Sequence, residues 1–176
     1  VEFPLPGFRD SDIEPFAKKW DATNAETTFG AAAFLAALKS GSVPRTLTAN
    51  PLTLTLLRHI WKPDQPLPTR RSDLFEAFTR ATLEDEDADE TGKMLEGVAL
   101  AVQRGQTASN EFVAKSHGFM RLARNRTAEF THELWQAYFA ARALHQAPNL
   151  EPLAEHLADP DWREVVLFYA GLGDAS

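Results

Sequence analysis

The sequence predicts a mainly α-helical protein. A helical subdomain comes first, then a winged-helix subdomain with one β-hairpin, then the start of a further helical subdomain. Three observations carry that expectation. Apolar residues recur at three- and four-residue spacing in most segments, the period of a helix with one buried face. Helix-start signals precede several of those segments, above all Asn50-Pro51 and Asp159-Pro160, each a capping side chain followed by a proline suited to the first helical position. One stretch, 119–131, reads instead as two short strands about a turn.

The chain has 176 residues, 44% of them hydrophobic, which suits one domain or two small subdomains with a buried core. It has no cysteine, so disulfides, thiol catalysis and Cys-based zinc sites are excluded. No apolar run approaches the ~18 residues of a membrane span, and no membrane partner is expected. The sequence begins at Val1 with Pro4 and Pro6 close behind, lacks the pattern of a signal peptide, and reads as a piece of a longer, cytoplasmic protein. Net charge is −7, all of it in the second half: residues 1–84 balance, whereas 85–176 carry fifteen acids against eight bases. An acidic half argues against general nucleic-acid binding, which needs cations to displace phosphate counterions.

Taken in order, residues 1–3 read as a strand end closed by Pro4 and Pro6. Ser11 and Glu14 fit a capping box, with Ile13, Phe16, Ala17 and Trp20 forming the apolar face of the helix that follows. Residues 29–39 read as an alanine-rich helix ended by Gly41. Asn50 and Pro51 then open a helix whose Leu52, Leu54, Leu56, Leu57 and Ile60 cover much of its circumference, so it should be buried. A proline-bearing loop, 62–68, leads through Arg70 and Arg71, ordinarily a solvated helix start, into a helix with Leu74, Phe75, Phe78 and Leu83. These elements make residues 11–84 the first helical subdomain, after a linker of residues 1–10.

The acidic run 84–90 reads as a linker. It nearly fits a calcium loop, with Asp85, Asp87, Asp89 and Glu96 at ligand positions, but Glu90 stands where the sharp turn wants glycine. Beyond it come a helix over 94–103 (Leu95, Val98, Ala99, Val102), a shorter helix over 110–116 (Phe112, Val113) and the hairpin. Helix, helix, hairpin, helix is winged-helix order, which assigns 85–146 to that subdomain. Arg121, Arg124 and Arg126 on the hairpin invite a DNA-binding reading. The helix that would enter the groove, however, offers only one cation, Lys115. Asp159-Pro160 opens a last helix with Trp162, Val165, Val166 and Phe168, ended by Gly171 and Gly173, within a final segment 147–176.

The richest stretch is 130–142, a strand end running into an amphipathic helix. Leu134, Trp135, Tyr138, Phe139 and Ala141 share its apolar face. Thr131 suits the N-cap. His132 would then sit in the first turn, where orphan N–H groups and the positive end of the helix dipole favour an anion. The plainer alternative is a partly exposed histidine hydrogen-bonded to its surroundings.

Phe130-x-His132-x-x-x-Gln136-x-Tyr138-Phe139-Ala140-Ala141 resembles the end of the winged helix in NACHT-type STAND NTPases, nucleotide-switched ATPases that include NOD-like receptors and bacterial defence proteins. Asn50-Pro51-Leu52-x-Leu54-x-Leu56-Leu57 resembles the motif of that family's helical subdomain. Leu67-Pro68, Arg70-Arg71 and Leu74-Phe75-Glu76 resemble a third, with Phe75 in place of the usual tyrosine. The resemblance implies that Pro51 packs on adenine and that His132 contacts the β-phosphate of ADP in a closed resting state. It implies ADP or ATP, with magnesium, in the parent protein. The partners it implies are the chain's own upstream nucleotide-binding domain and other copies in an active homo-oligomer, in signal transduction such as antiviral defence or innate immunity.

No G-x-x-x-x-G-K-[ST] loop is present, so this stretch is not expected to hydrolyse ATP, or to hold nucleotide tightly, by itself. His132-Glu133 fails as a zinc helix because Gln136 stands where the second histidine belongs, and no metal ligands are assigned. The alternative function is a winged-helix interaction or DNA-binding module.

Overall fold

The computed structural model describes residues 7–24, 29–63, 65–84, 87–147 and 151–173. The expected strand end at 1–3 with Pro4 and Pro6, and Asp85 and Glu86 of the acidic run, lie outside them. Among the described residues the fold is mainly helical, with one two-stranded antiparallel sheet. It divides into two compact units, one ending at Phe78 and the other beginning at Thr79.

The first unit holds α1 (Asp10–Thr23), α2 (Ala31–Ser40), α3 (Arg45–Thr48) and α4 (Pro51–Ile60), and most of α5 (Arg71–Thr82), which runs on into the second unit. α1 begins one residue before Ser11. Arg9 is its N-cap, and the Arg9 N–H donates to Asp12 Oδ2 at 2.7 Å. The reciprocal acid is thus Asp12 rather than Glu14, which instead pairs with Lys18 at 2.7 Å on the surface. The Lys18 ammonium holds the Glu14 carboxyl below its ordinary value. α2 ends at Gly41, as its sequence implies.

α4 carries the core of this unit. Leu54, Leu56 and Leu57 are buried, and so is Arg58, at 2% exposure. The Arg58 guanidinium donates to Asp21 Oδ1 at 2.5 Å and to the Phe29 carbonyl at 2.7 Å. It lies 5.3 Å from the centre of the Phe34 ring and 5.6 Å from that of Trp61. Asp21 also accepts from the Ala31 N–H, an orphan donor at the start of α2. One buried cation therefore joins α1, the approach to α2, and α4.

The second unit holds α6 (Ala88–Gln103), α7 (Glu111–Ala114), β1 (Met120–Leu122), β2 (Ala128–Phe130), α8 (Glu133–Gln146), α9 (Glu151–Ala154), a 3-10 turn (Pro160–Trp162) and α10 (Arg163–Gly173). α6 starts six residues before the expected 94, so Ala88, Asp89 and Glu90 of the acidic run form its first turn. Acids there are favoured by the helix dipole. α7 is one turn, shorter than the expected 110–116. Ser116 stops it: its hydroxyl donates to the Val113 carbonyl at 2.8 Å and accepts from the Met120 N–H at 3.2 Å, turning the chain into β1.

α6 and α10 both pack on α8, and the hairpin closes over its start. Every residue of the predicted apolar face of α8 is buried, and so are Ala137, Ala140 and Leu144. Phe119 meets Trp135 at 4.8 Å and Phe139 at 5.2 Å between ring centres, and Tyr138 meets Phe168 at 5.5 Å. Asp159 Oδ1 accepts from the Asp161 N–H at 3.0 Å, the expected cap ahead of α10, and that helix passes through Gly171 to Gly173.

Between α6 and α8 lies Glu96, 5% exposed, with Arg142 Nε 2.9 Å from its Oε1 and Gln146 Nε2 at 3.3 Å. Burial pushes the Glu96 carboxyl above its ordinary value, against the pull of Arg142, Gln146 and Lys93. Engaged in this pair, Glu96 is not placed as the last ligand of a calcium loop.

Two predictions follow from these buried charges. Asp21→Ala leaves the Arg58 cation unpaired and should cost about 3 kcal/mol in denaturant unfolding. Adding Arg58→Met should recover part of that loss; a double variant weaker than the single would contradict the assignment. Glu96 binds its proton more tightly in the folded chain than in the unfolded one. Stability from this group therefore falls as pH rises from about the ordinary 4.5 through the higher folded value. Measured between pH 4.5 and 8, Glu96→Gln should gain stability relative to the unmodified chain as pH rises. A relative loss would show that the ion pair with Arg142 outweighs burial.

Candidate functional site

Pro51 and His132 belong to different units. Pro51 is the first residue of α4 and is exposed. Its missing N–H costs nothing there, because the first helical donors have no partner within the helix. Asn50 meets the next donors: its Oδ1 accepts from the Leu52 N–H at 2.9 Å and the Thr53 N–H at 3.4 Å. Thr53 is buried, and its hydroxyl bonds back to the Leu47 carbonyl, tying α3 to the start of α4.

The corner is held from outside as well. The Phe8 N–H donates to the Ala49 carbonyl at 2.6 Å, and Arg45 bonds the Phe8 carbonyl and pairs with Asp10 at 3.0 Å. A Cβ on Gly7 would stand 2.9 Å from the Ala49 carbonyl oxygen, so this close approach requires glycine. Pro51 is thus an exposed apolar ring on a fixed backbone.

His132 is placed differently from its expected position. It is the N-cap of α8, not a first-turn residue, with extended backbone at φ −152° and ψ 143°. Its Nδ1 accepts from the Leu134 N–H at 3.1 Å. Thr131, the expected cap, is engaged elsewhere: its N–H and hydroxyl both reach the Phe119 carbonyl, at 2.9 and 3.2 Å, continuing the hairpin ladder by one residue. A neutral imidazole that accepts at Nδ1 carries its proton on Nε2. The half-buried ring therefore keeps one donor, Nε2–H, while the first-turn N–H groups are largely taken, that of Leu134 by Nδ1 and that of Trp135 by the His132 carbonyl at 3.0 Å. A ring N–H donor at the positive end of a helix is chemically suited to an anion.

Gln136, one turn further along α8, donates to Gln103 Oε1 at 2.9 Å, and Gln103 donates to the Asp161 carbonyl at 2.8 Å. The third motif is also placed: Arg70 forms a two-bond pair with Asp73, both distances 2.9 Å, at the start of α5, while Leu74 and Phe75 are fully buried. A surface cavity of about 630 Å³ between α6 and α7 is lined by Asp87, Glu90, Met94, Glu111, Phe112 and Lys115, and His132 does not line it.

Among the described residues, no group of three or more histidine or carboxylate side chains is placed to hold a metal ion. No described helix is long and apolar enough to cross a membrane. Sequence reasoning did not single out Arg58. Its signal was present: Leu54, Leu57, Arg58 and Trp61 stand at i, i+3, i+4 and i+7, so the arginine lies on the buried stripe.

No protein-family model matches the chain, and no curated protein matches it. The resemblance to NACHT-type NTPases therefore rests on the three motifs and their order.

Asn is as good an N-cap as any residue, so His132→Asn should leave thermal stability nearly unchanged, whereas His132→Ala should cost about 1 kcal/mol. Equal losses in the two variants would mean that the capping bond is not what His132 contributes to the fold.

Proposed function

We propose that the chain is a regulatory part of a nucleotide-switched signalling ATPase of the NACHT/STAND type, closing over bound ADP in the resting state and controlling oligomerisation of the parent protein. The observation that carries this reading is the His132 cap. A side chain already fixed by one hydrogen bond offers its other nitrogen as a preoriented donor at a helix start, where a phosphate is favoured. Pro51 supplies an exposed ring for the adenine face. The parent's upstream nucleotide-binding domain supplies the phosphate loop and magnesium, and the other copies of the active assembly are its further partners.

In this reading ADP holds the closed state in part through the His132 Nε2–H contact, and exchange for ATP loses that contact and releases the winged helix. A hydrogen bond to a charged group contributes about 1.5–3 kcal/mol, enough to shift a two-state balance roughly ten- to hundred-fold. The setting is the cytoplasm, and the signal concerned is defence or another form of signal transduction.

The test is His132→Asn in the full-length parent. It keeps the cap and removes the Nε2 donor, so basal activity should rise about ten-fold or more while expression and melting temperature stay the same. Unchanged basal activity in a normally folded variant would remove the reading.

A further inference from the structure

We infer that the tip of the β1–β2 hairpin is a docking element for an acidic, partly apolar segment of a partner protein. The inference is independent of the nucleotide reading, since it rests on a part of the second unit that holds neither Pro51 nor His132.

The tip is a built turn. The Arg126 N–H donates to the Ala123 carbonyl at 3.0 Å, and the Ala123 N–H donates to the Thr127 carbonyl at 2.9 Å. Asn125 Oδ1 accepts from the Thr127 N–H at 3.1 Å and from its hydroxyl at 2.7 Å. This is a type I turn closed by a residue in the left-handed region, the position at which hairpins of this length ordinarily carry glycine. Here the residue is Arg126, at φ +64°. A branched-out side chain is strained in that conformation, so the fold alone would favour glycine. Strain of this kind points to a use for the side chain that bears it.

The chemistry of the tip says what that use is. Residues 112–128 carry Lys115, Arg121, Arg124 and Arg126 and no acid, inside a half of the chain that is otherwise strongly acidic. Arg121 is taken up by Glu129 across the ladder at 2.8 Å. Arg124 and Arg126 are exposed and have no ion pair or side-chain hydrogen bond among the described residues. Leu122 stands next to them at 54% exposure. Alternation puts Leu122 on the same face of β1 as buried Met120, yet Leu122 is exposed while Ala128 opposite it is buried.

Two free guanidinium groups beside an exposed leucine match a protein surface with acids next to apolar side chains; arginine is enriched in such interfaces. They do not match a nucleic acid. A polyanion is bound by many cations, whereas the tip offers two, and the helix before the hairpin is a single turn that exposes Glu111.

The test is fluorescence anisotropy of the whole chain with three labelled probes at one ionic strength. One is a 16-residue peptide with glutamate and leucine at helical spacing, one is the same peptide with serine for leucine, and one is a 20-base-pair duplex. The chain should bind the glutamate–leucine peptide best. Arg124→Gln should weaken that binding about fivefold or more with the melting temperature unchanged. Arg126→Gly should weaken it by a similar factor while raising the melting temperature by about 2–4 °C, because the strain is relieved. The inference is overturned if Arg126→Gly binds the peptide as tightly as the unmodified chain, if the duplex is bound more tightly than the peptide, or if the unmodified chain binds no peptide at millimolar concentration.

Discussion

Eight side chains of α8, from Leu134 to Leu144, must be kept from water, and the rest of the second unit is arranged to do so. α6 presents Leu95, Val98 and Ala99, α10 presents Val165 and Phe168, and the hairpin flanks bring Phe119 and Phe130. Fully burying a large apolar side chain stabilises by roughly 1.5–3 kcal/mol, so α8 cannot rotate or slide without losing several such contributions. A helix fixed in this way has a fixed beginning. β2 ends at Phe130, Thr131 stays with the ladder, and His132 is the one residue left to cap the helix. Packing energy several residues away thereby sets the orientation of an imidazole.

The first unit reaches the same result by another route. Its core is smaller, and a buried arginine does part of the work of aligning its helices. Arg58 is held by a carboxylate, a carbonyl and two aromatic rings, and each of these partners comes from a different stretch of chain. A buried ion pair adds little net stability over an apolar core, but the loss of one partner is costly. The arrangement therefore tolerates few alternatives.

Local patterns in the sequence carried much of this. The stripe of α8, the Asn50-Pro51 start of α4, the Asp159 cap and the hairpin all follow from spacing and turn chemistry within a few residues. Where the structure differs, a longer-range competitor decided. Thr131 has the better intrinsic claim to cap α8, but the Phe119 carbonyl, twelve residues away, takes its hydroxyl. Ser11 and Glu14 match a capping box on paper, yet Asp12 reaches the Arg9 N–H first and Glu14 is drawn to Lys18. α7 stops after one turn because Ser116 is needed at the start of β1. The pairing of Glu96 with Arg142 spans forty-six positions, and nothing local announces it. The candidate site was legible in part: the two residues could be named from their motifs, but the role of His132 as the cap itself could not.

The proposed phosphate contact turns on the tautomer of one ring. If His132 caps α8 through Nδ1, a long-range proton–nitrogen correlation spectrum of the chain labelled with nitrogen-15 histidine will show, at a pH where the ring is neutral, a bare accepting Nδ1 and a protonated Nε2 for this residue. The opposite pattern, with the proton on Nδ1, would mean that the helix is capped by some other group and that no preoriented Nε2 donor exists for a phosphate to meet.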